Sequence, residues 1–223
     1  MVAGPDPGHA FPAIALCLRF LAAGDTPVLL TGVEWLDTAR TAGLEAVELA
    51  GLDPGEDDDD SDAGAKIHQR AARMAVLNVP VLTDLGCDLV VSDVITACGG
   101  MAAELIGIPW VELSPHPLYL PSKGLPPVGS GLAPGTGVGG RLRDTVMRAF
   151  TARSVREGMR QRSAVRAEIG LPARDPGPVR RLIATLPALE VPRPDWPAEA
   201  VVVGPLHFEP TSAVLAIPAG AGP

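Results

Sequence analysis

The stretch Asp88-Leu-Val-Val-Ser-Asp93, followed by Thr96 to Ile106 with Gly107 behind it and then by Pro109-Trp-Val-Glu-Leu-Ser114, decides the fold. The outer pieces are short, almost continuous apolar runs, as strands show when both of their faces are covered. The middle piece reads as a helix, and its glycine suits a left-handed cap. Strand, helix and strand in this order make a crossover unit with parallel strands, which predicts an α/β fold.

The alternation continues upstream. Pro12 can open a helix, Ala13 to Ala23 is apolar almost all round, and Gly24 closes the run. Pro27 to Thr31 reads as a buried strand, Glu34 to Ala42 as a short helix and Ala46 to Leu49 as another strand. Lys66 to Leu85 reads as a long helix that Pro80 kinks or interrupts. Downstream the pattern breaks at Pro115, and residues 115–140 form a loop rich in Pro and Gly, of a length that usually carries function. Arg141 to Ile169 is a long helix with eight of the sixteen arginines, spread around it and diluted by Asp144, Glu157 and Glu168, so a solvated or partly interfacial surface is expected. Two short strands, Arg181 to Thr185 and Ala200 to Val203, follow, and the small residues and prolines beyond Pro210 read as a linker. Only Met1 to Ala3 precede the Gly4-Pro-Asp-Pro-Gly8 turn, a short remnant of a first strand, which predicts a chain cut from a larger protein.

Composition narrows the classes. With 223 residues, 47% of them hydrophobic, and a mean hydropathy of +0.23, the chain has ample material for a core and is not a disordered one. Arg19 interrupts the most apolar run, so no membrane span is expected, and no signal peptide is visible. Three cysteines, Cys17, Cys87 and Cys98, form no CxxC pair and read as free core residues of a cytoplasmic protein. The net charge of −8 argues against nucleic acid. Seven of the 26 acids fall between Asp53 and Asp62, and their unbroken run reads as a solvated face, since calcium loops space their acids around a glycine.

The segment Gly4-Pro-Asp-Pro-Gly-His-Ala-Phe-Pro12 carries the chemistry. In open parallel sheets, ligands bind at the carboxyl ends of the strands where the strand order reverses. An order 3-2-1-4-5 for the first five strands places that point between the first and the fourth. His9 and Asp93 then become neighbours although 84 positions separate them. A neutral imidazole can take a proton from a hydroxyl, while the carboxylate fixes its tautomer and stabilises the imidazolium. The adjoining helix N-terminus is expected to disfavour the charged form. The competing reading is that each residue merely caps a helix.

Gly8-His9-Ala-Phe-Pro12 with its apolar helix and Gly24 resembles the N-terminal signature of GT-B glycosyltransferases of the UDP-glycosyltransferase type. Asp88 to Asp93 with Ala102-Ala-Glu-Leu-Ile-Gly-Ile-Pro-Trp110 resembles that family's fourth strand, following helix and fifth strand, and Val191-Pro-Arg-Pro-Asp-Trp-Pro197 through Val202-Val-Gly-Pro205 resembles its segment before the interdomain linker. The resemblance implies a Rossmann-like open parallel sheet flanked by helices, the N-terminal half of a GT-B fold. Residues 1–208 would be the acceptor-binding domain and 209–223 the interdomain linker, with the donor-binding C-terminal domain absent from this sequence. By the same resemblance His9 is the catalytic base and Asp93 its partner, with inversion at the anomeric carbon. A nucleotide sugar is then the co-substrate, and neither a metal nor another cofactor is needed. The acceptor would be a hydroxyl-bearing small molecule or lipid, and the uncovered interdomain face would favour self-association. This chain alone would be inactive. A non-catalytic metabolite-binding or partner-docking domain, and a nucleotide-sugar epimerase, are the alternatives.

Weaker signals complete the list. His116 and Tyr119 follow the fifth strand and are expected to line the acceptor pocket or simply to pack the loop. Gly135-Thr-Gly-Val-Gly-Gly140 imitates a phosphate loop without the preceding strand such a loop needs, and reads as part of the pocket rim. His68 is expected to be exposed. No hydrolase elbow, Walker motif or zinc pattern occurs.

Overall fold

The computed structural model describes residues 1–53, 62–211 and 213 of the 223. The acidic run Glu56 to Asp60 and most of the expected linker lie outside the described residues.

Helices α1 (Pro7–Ala23), α2 (Val33–Thr41), α3 (Ala63–Leu85), α4 (Cys98–Ile106) and α5 (Gly137–Glu168) alternate with strands β1 (Val28–Thr31), β2 (Glu45–Glu48), β3 (Val90–Asp93) and β4 (Trp110–Ser114) until the long loop intervenes; β5 (Arg180–Ile183) and β6 (Ala200–Val202) come last. All strand pairs are parallel, with β1 beside β2 and β3 to β6 in sequence order. The N-terminal residues join the two groups. Val2 bridges Leu30 on one side and Ser92 on the other, donating its amide to the Val91 carbonyl at 2.8 Å while the Asp93 amide donates back to Val2 at 2.8 Å. The sheet therefore runs β2, β1, residues 1–3, β3, β4, β5, β6, and its order reverses beside residues 1–3. This is the predicted 3-2-1-4-5 order, extended by two strands.

Alternate residues of each strand enter opposite cores, as the two-residue period requires. Leu30, Val90 and Trp110 pack with α3 and α4, whereas Leu29, Val91 and Val111 pack with α1. Coverage on both faces explains the near-continuous apolar runs. Gly99 lets α4 approach the sheet closely, since a Cβ there would stand 2.8 Å from both Ser92 Oγ and Val2 Cβ. Asn78, 1% exposed inside α3, accepts from the Ala50 amide at 3.2 Å and donates to the Ala50 and Met74 carbonyls at 3.0 and 2.7 Å. It ties the turn after β2 to α3.

Several expectations are corrected. Helix α1 starts at Pro7, not at Pro12: Asp6 caps it by accepting from the Gly8 amide at 2.8 Å, and Pro7 takes the first position, where a missing N–H costs nothing. Helix α5 starts at Gly137, so most of the glycine run is helix and not loop. The arginines of α5 are not all solvated. Arg166 is fully buried and forms a fork to both Glu104 oxygens, at 3.1 and 2.7 Å. His68 is half-buried, and burial lowers its pKa. Among the described residues no helix is long and apolar enough to cross a membrane.

Candidate active site

Three backbone constraints shape the turn after residues 1–3. The Gly4 amide donates to Thr96 Oγ1 at 2.8 Å, the Trp35 indole donates to the Pro5 carbonyl at 2.6 Å, and Asp6 caps α1. His9 becomes the third residue of α1, and its Nδ1 lies 2.7 Å from Asp93 Oδ1, where the sheet order reverses. The Asp93 side chain is fully buried, while His9 keeps 14% of its side chain exposed, so one edge of the ring reaches solvent.

Asp93 answers both readings of the sequence. Its Oδ2 accepts from the Ile95 and Thr96 amides, each at 3.2 Å, and from Thr96 Oγ1 at 3.1 Å, which fixes the turn into α4. Its Oδ1 remains for His9. An ionised carboxylate only accepts, so Nδ1 carries the proton and Nε2 presents the free lone pair. His9 itself caps nothing, because Asp6 has that role.

The helix N-terminus does not control the titration of His9. Its hydrogen bond to Asp93 raises the pKa above the ordinary imidazole value, against the opposing effect of burial, and the charges of Asp93 and Asp6 add to the rise. A direct hydrogen bond to a carboxylate outweighs the diffuse field of a helix end.

His116 and Tyr119 continue the site as a line of rings. The His116 ring stands 6.2 Å from that of His9 at 75°, and Tyr119 stands 5.6 Å from His116 at 68°. His116 Nδ1 is 3.0 Å from the Pro117 carbonyl, so this nitrogen donates and Nε2 is left free. Tyr119 is 61% exposed. The structure thus gathers all four candidate residues at one strand edge.

Sequence reasoning missed what holds the His116–Tyr119 loop in place. Arg193 donates to the Leu120 and Leu118 carbonyls at 2.7 and 2.9 Å, and Glu190 accepts from the Leu118 amide at 2.8 Å. Asp195 accepts from Ser122 Oγ at 2.5 Å and from the Lys123 amide at 3.0 Å. The charged residues inside the quoted Val191 to Pro197 segment were the available signal. Arg193→Met is expected to free the loop, removing two charge-assisted bonds and roughly 1–2 kcal/mol of stability. Tyr119 is the chain's single tyrosine, so 3-fluorotyrosine gives one ¹⁹F resonance. That resonance should shift and broaden in the variant, and an unchanged line would refute the restraint.

The remaining groups have simpler roles. The Gly135 amide donates to Asp144 Oδ2 at 2.8 Å, so the chain's own carboxylate occupies the anion position of the glycine run, and a phosphate role loses its donor. Burial pushes the Cys98 thiol up to about 12, which removes it as a nucleophile. Among the described residues no cluster of three His, Cys, Asp or Glu side chains is placed to hold a metal ion.

No protein-family model matches the chain. A 4'-demethylrebeccamycin synthase of Lentzea aerocolonigenes is 28% identical over 229 residues, covering 90% of this chain and 54% of that protein. The glycotransferase of kitacinnamycin superposes with a TM-score of 0.68 and 20% identity, over 99% of this chain and 55% of that one. The spinosyn rhamnosyltransferase SpnG, solved with spinosyn aglycone, gives 0.55 and 20% over 98% and 52%. The Streptomyces sp. SF2575 glycosyltransferase SsfS6, solved with thymidine diphosphate, gives 0.52 and 18% over 84% and 49%. The chain spans about half the length of the proteins it matches. Its parallel sheet, with the order reversal beside residues 1–3, is the N-terminal half of the GT-B fold that these solved glycosyltransferases share.

Proposed function

We propose that this chain is the acceptor-binding half of an inverting glycosyltransferase that moves a hexosyl group from a nucleotide sugar to a hydroxyl of a small-molecule or lipid acceptor. The observation that carries the reading is the 2.7 Å pairing of His9 with the buried Asp93 at the reversal point of the sheet. The solved proteins of like fold that hold thymidine diphosphate in one case and an aglycone in another support the two co-substrate classes.

The reaction follows from the lone pair on His9 Nε2. The acceptor O–H gives its proton to Nε2 as the oxygen attacks the anomeric carbon from the face opposite the nucleoside diphosphate. The bond from that carbon to the phosphate oxygen breaks, the diphosphate departs with the electron pair, and configuration inverts. Asp93 stabilises the imidazolium, and no metal or further cofactor is assigned a step. His116 and Tyr119 would line the acceptor side. Residues 1–208 form this half, residues 209–223 lead to a C-terminal donor domain, and the half alone does not turn over.

The test is transfer by a complete protein containing this chain, with a panel of nucleotide sugars and hydroxylic acceptors, reading the anomeric coupling constant of the product by NMR. A product with retained configuration, or free sugar as the only product, refutes the reading. The pH profile adds a second check. His9 acts as a base only when neutral, and Asp93 raises its pKa. Activity should therefore climb with pH through a midpoint above the ordinary value of about 6.5. Asp93→Asn should move that midpoint down as it lowers the rate. A midpoint that stays in place excludes His9 as the titrating group.

A further inference from the structure

A cavity that neither His9 nor Asp93 lines adjoins the pair through Thr96. It measures about 250 Å³ and opens at the carboxyl ends of the strands. Its lining comes from the turn after residues 1–3 (Gly4, Pro5), from Leu52 after β2, from the residues between β3 and α4, and from one side of α3. Apolar side chains make most of the wall, and Ile67 and Ile95 leave 62% and 58% of their surfaces exposed. Thr96 belongs both to this wall and to the support of Asp93.

Among the described residues Arg70 is the one charged residue in this lining. It is half-buried, and it makes no hydrogen bond or ion pair to any described residue. Asp93 directs its hydrogen bonds to His9, Ile95 and Thr96 and none to Arg70. Cations on α5 differ. Arg162 pairs with Asp175, Arg166 forks onto Glu104 and Arg160 onto Glu157. The whole chain carries −8, so its net charge does not draw an anion to this place.

We infer that the cavity takes an acceptor with an apolar body and an anionic group, a carboxylate for instance, which Arg70 engages as the body covers Ile67 and Ile95. A guanidinium fork matches a carboxylate and gains strength where apolar walls exclude water. This inference rests on the acceptor-binding reading above and names the class of acceptor.

The experiment uses the chain itself and two fluorescent probes, 2-naphthol and 6-hydroxy-2-naphthoate, which share a ring system and a hydroxyl and differ in one carboxylate. The carboxylate probe should bind about tenfold tighter, the usual yield of one charge-assisted contact. Arg70→Met should remove that preference and leave naphthol binding within about twofold, which also shows the variant folded. Ala71→Trp, which fills the cavity, should weaken both probes. Equal affinities for the two probes, a preference that survives Arg70→Met, binding untouched by Ala71→Trp, or no binding at all would each overturn the inference. The outcome is separable from that of the transfer reading. Probe preference can fail while His9→Ala still abolishes transfer in the complete protein, and the reverse can equally occur.

Discussion

In the complete protein, His9→Ala is expected to lower kcat by about 10²–10⁴-fold while nucleotide-sugar binding persists. That range is what a positioned general base contributes to a proton transfer. The split between turnover and donor affinity follows from the role proposed for His9, which pairs with Asp93 and serves the acceptor hydroxyl in that reading. Asp93→Ala should give a loss of similar size, and the double variant should lose little more than either single one. Residues that work as one unit are not additive. Full additivity of the two losses would mean that the hydrogen bond is structural and that each residue acts alone. An unchanged kcat for His9→Ala would remove the proposed chemistry altogether.

Asp93 also has a structural duty that must be separated from its catalytic one. Its Oδ2 fixes the Ile95 and Thr96 amides, so Asp93→Ala loosens the entry to α4 as well as freeing His9. Asp93→Asn keeps an acceptor for those amides but offers His9 an amide group in place of a charge. Rates measured on both variants beside their melting temperatures divide the two roles. If Asp93→Asn melts like the wild type and still loses most of its turnover, the carboxylate charge is the working element.

Most of the sheet was legible because each buried strand writes its own apolar run, and Val28–Thr31, Val90–Asp93 and Trp110–Ser114 are such runs. The His9–Asp93 proximity was legible because strand order alone brings the two loops together. The start of α1 was misplaced since two prolines compete for the first position. Asp6-Pro7 has the side-chain cap, and Pro12 is carried inside the helix. The rise of the His9 pKa was not legible either. It depends on a 2.7 Å contact, whereas the sequence shows only the nearby helix end. Nor does charge spacing on α5 reveal which arginine turns inward. Arg166 is buried because Glu104 of α4 stands opposite, 62 positions away in the chain.

That pair gives the largest expected effect on stability. Arg166 donates both terminal nitrogens to Glu104 and its Nε to the Pro172 carbonyl at 3.0 Å. Through Asp175, which also binds Arg162, it links the end of α5 to the segment that enters β5. Arg166→Met removes the cation and leaves the Glu104 carboxylate, whose side chain is only 12% exposed, without its partner. Breaking such a pair from one side costs on the order of 3 kcal/mol, because the remaining charge keeps its desolvation penalty. For a chain of this length, that corresponds to a fall in Tm of roughly 6–12 °C. Arg166→Met combined with Glu104→Leu removes both charges at once, and it should recover most of the loss, since replacing a whole buried pair with apolar side chains is often neutral. A single variant that melts within about 2 °C of the wild type would show that water already reaches the pair and screens it. A double variant as unstable as the single one would place the cost in the lost Pro172 contact instead. Thermal unfolding of the two variants therefore separates the charge from the tether.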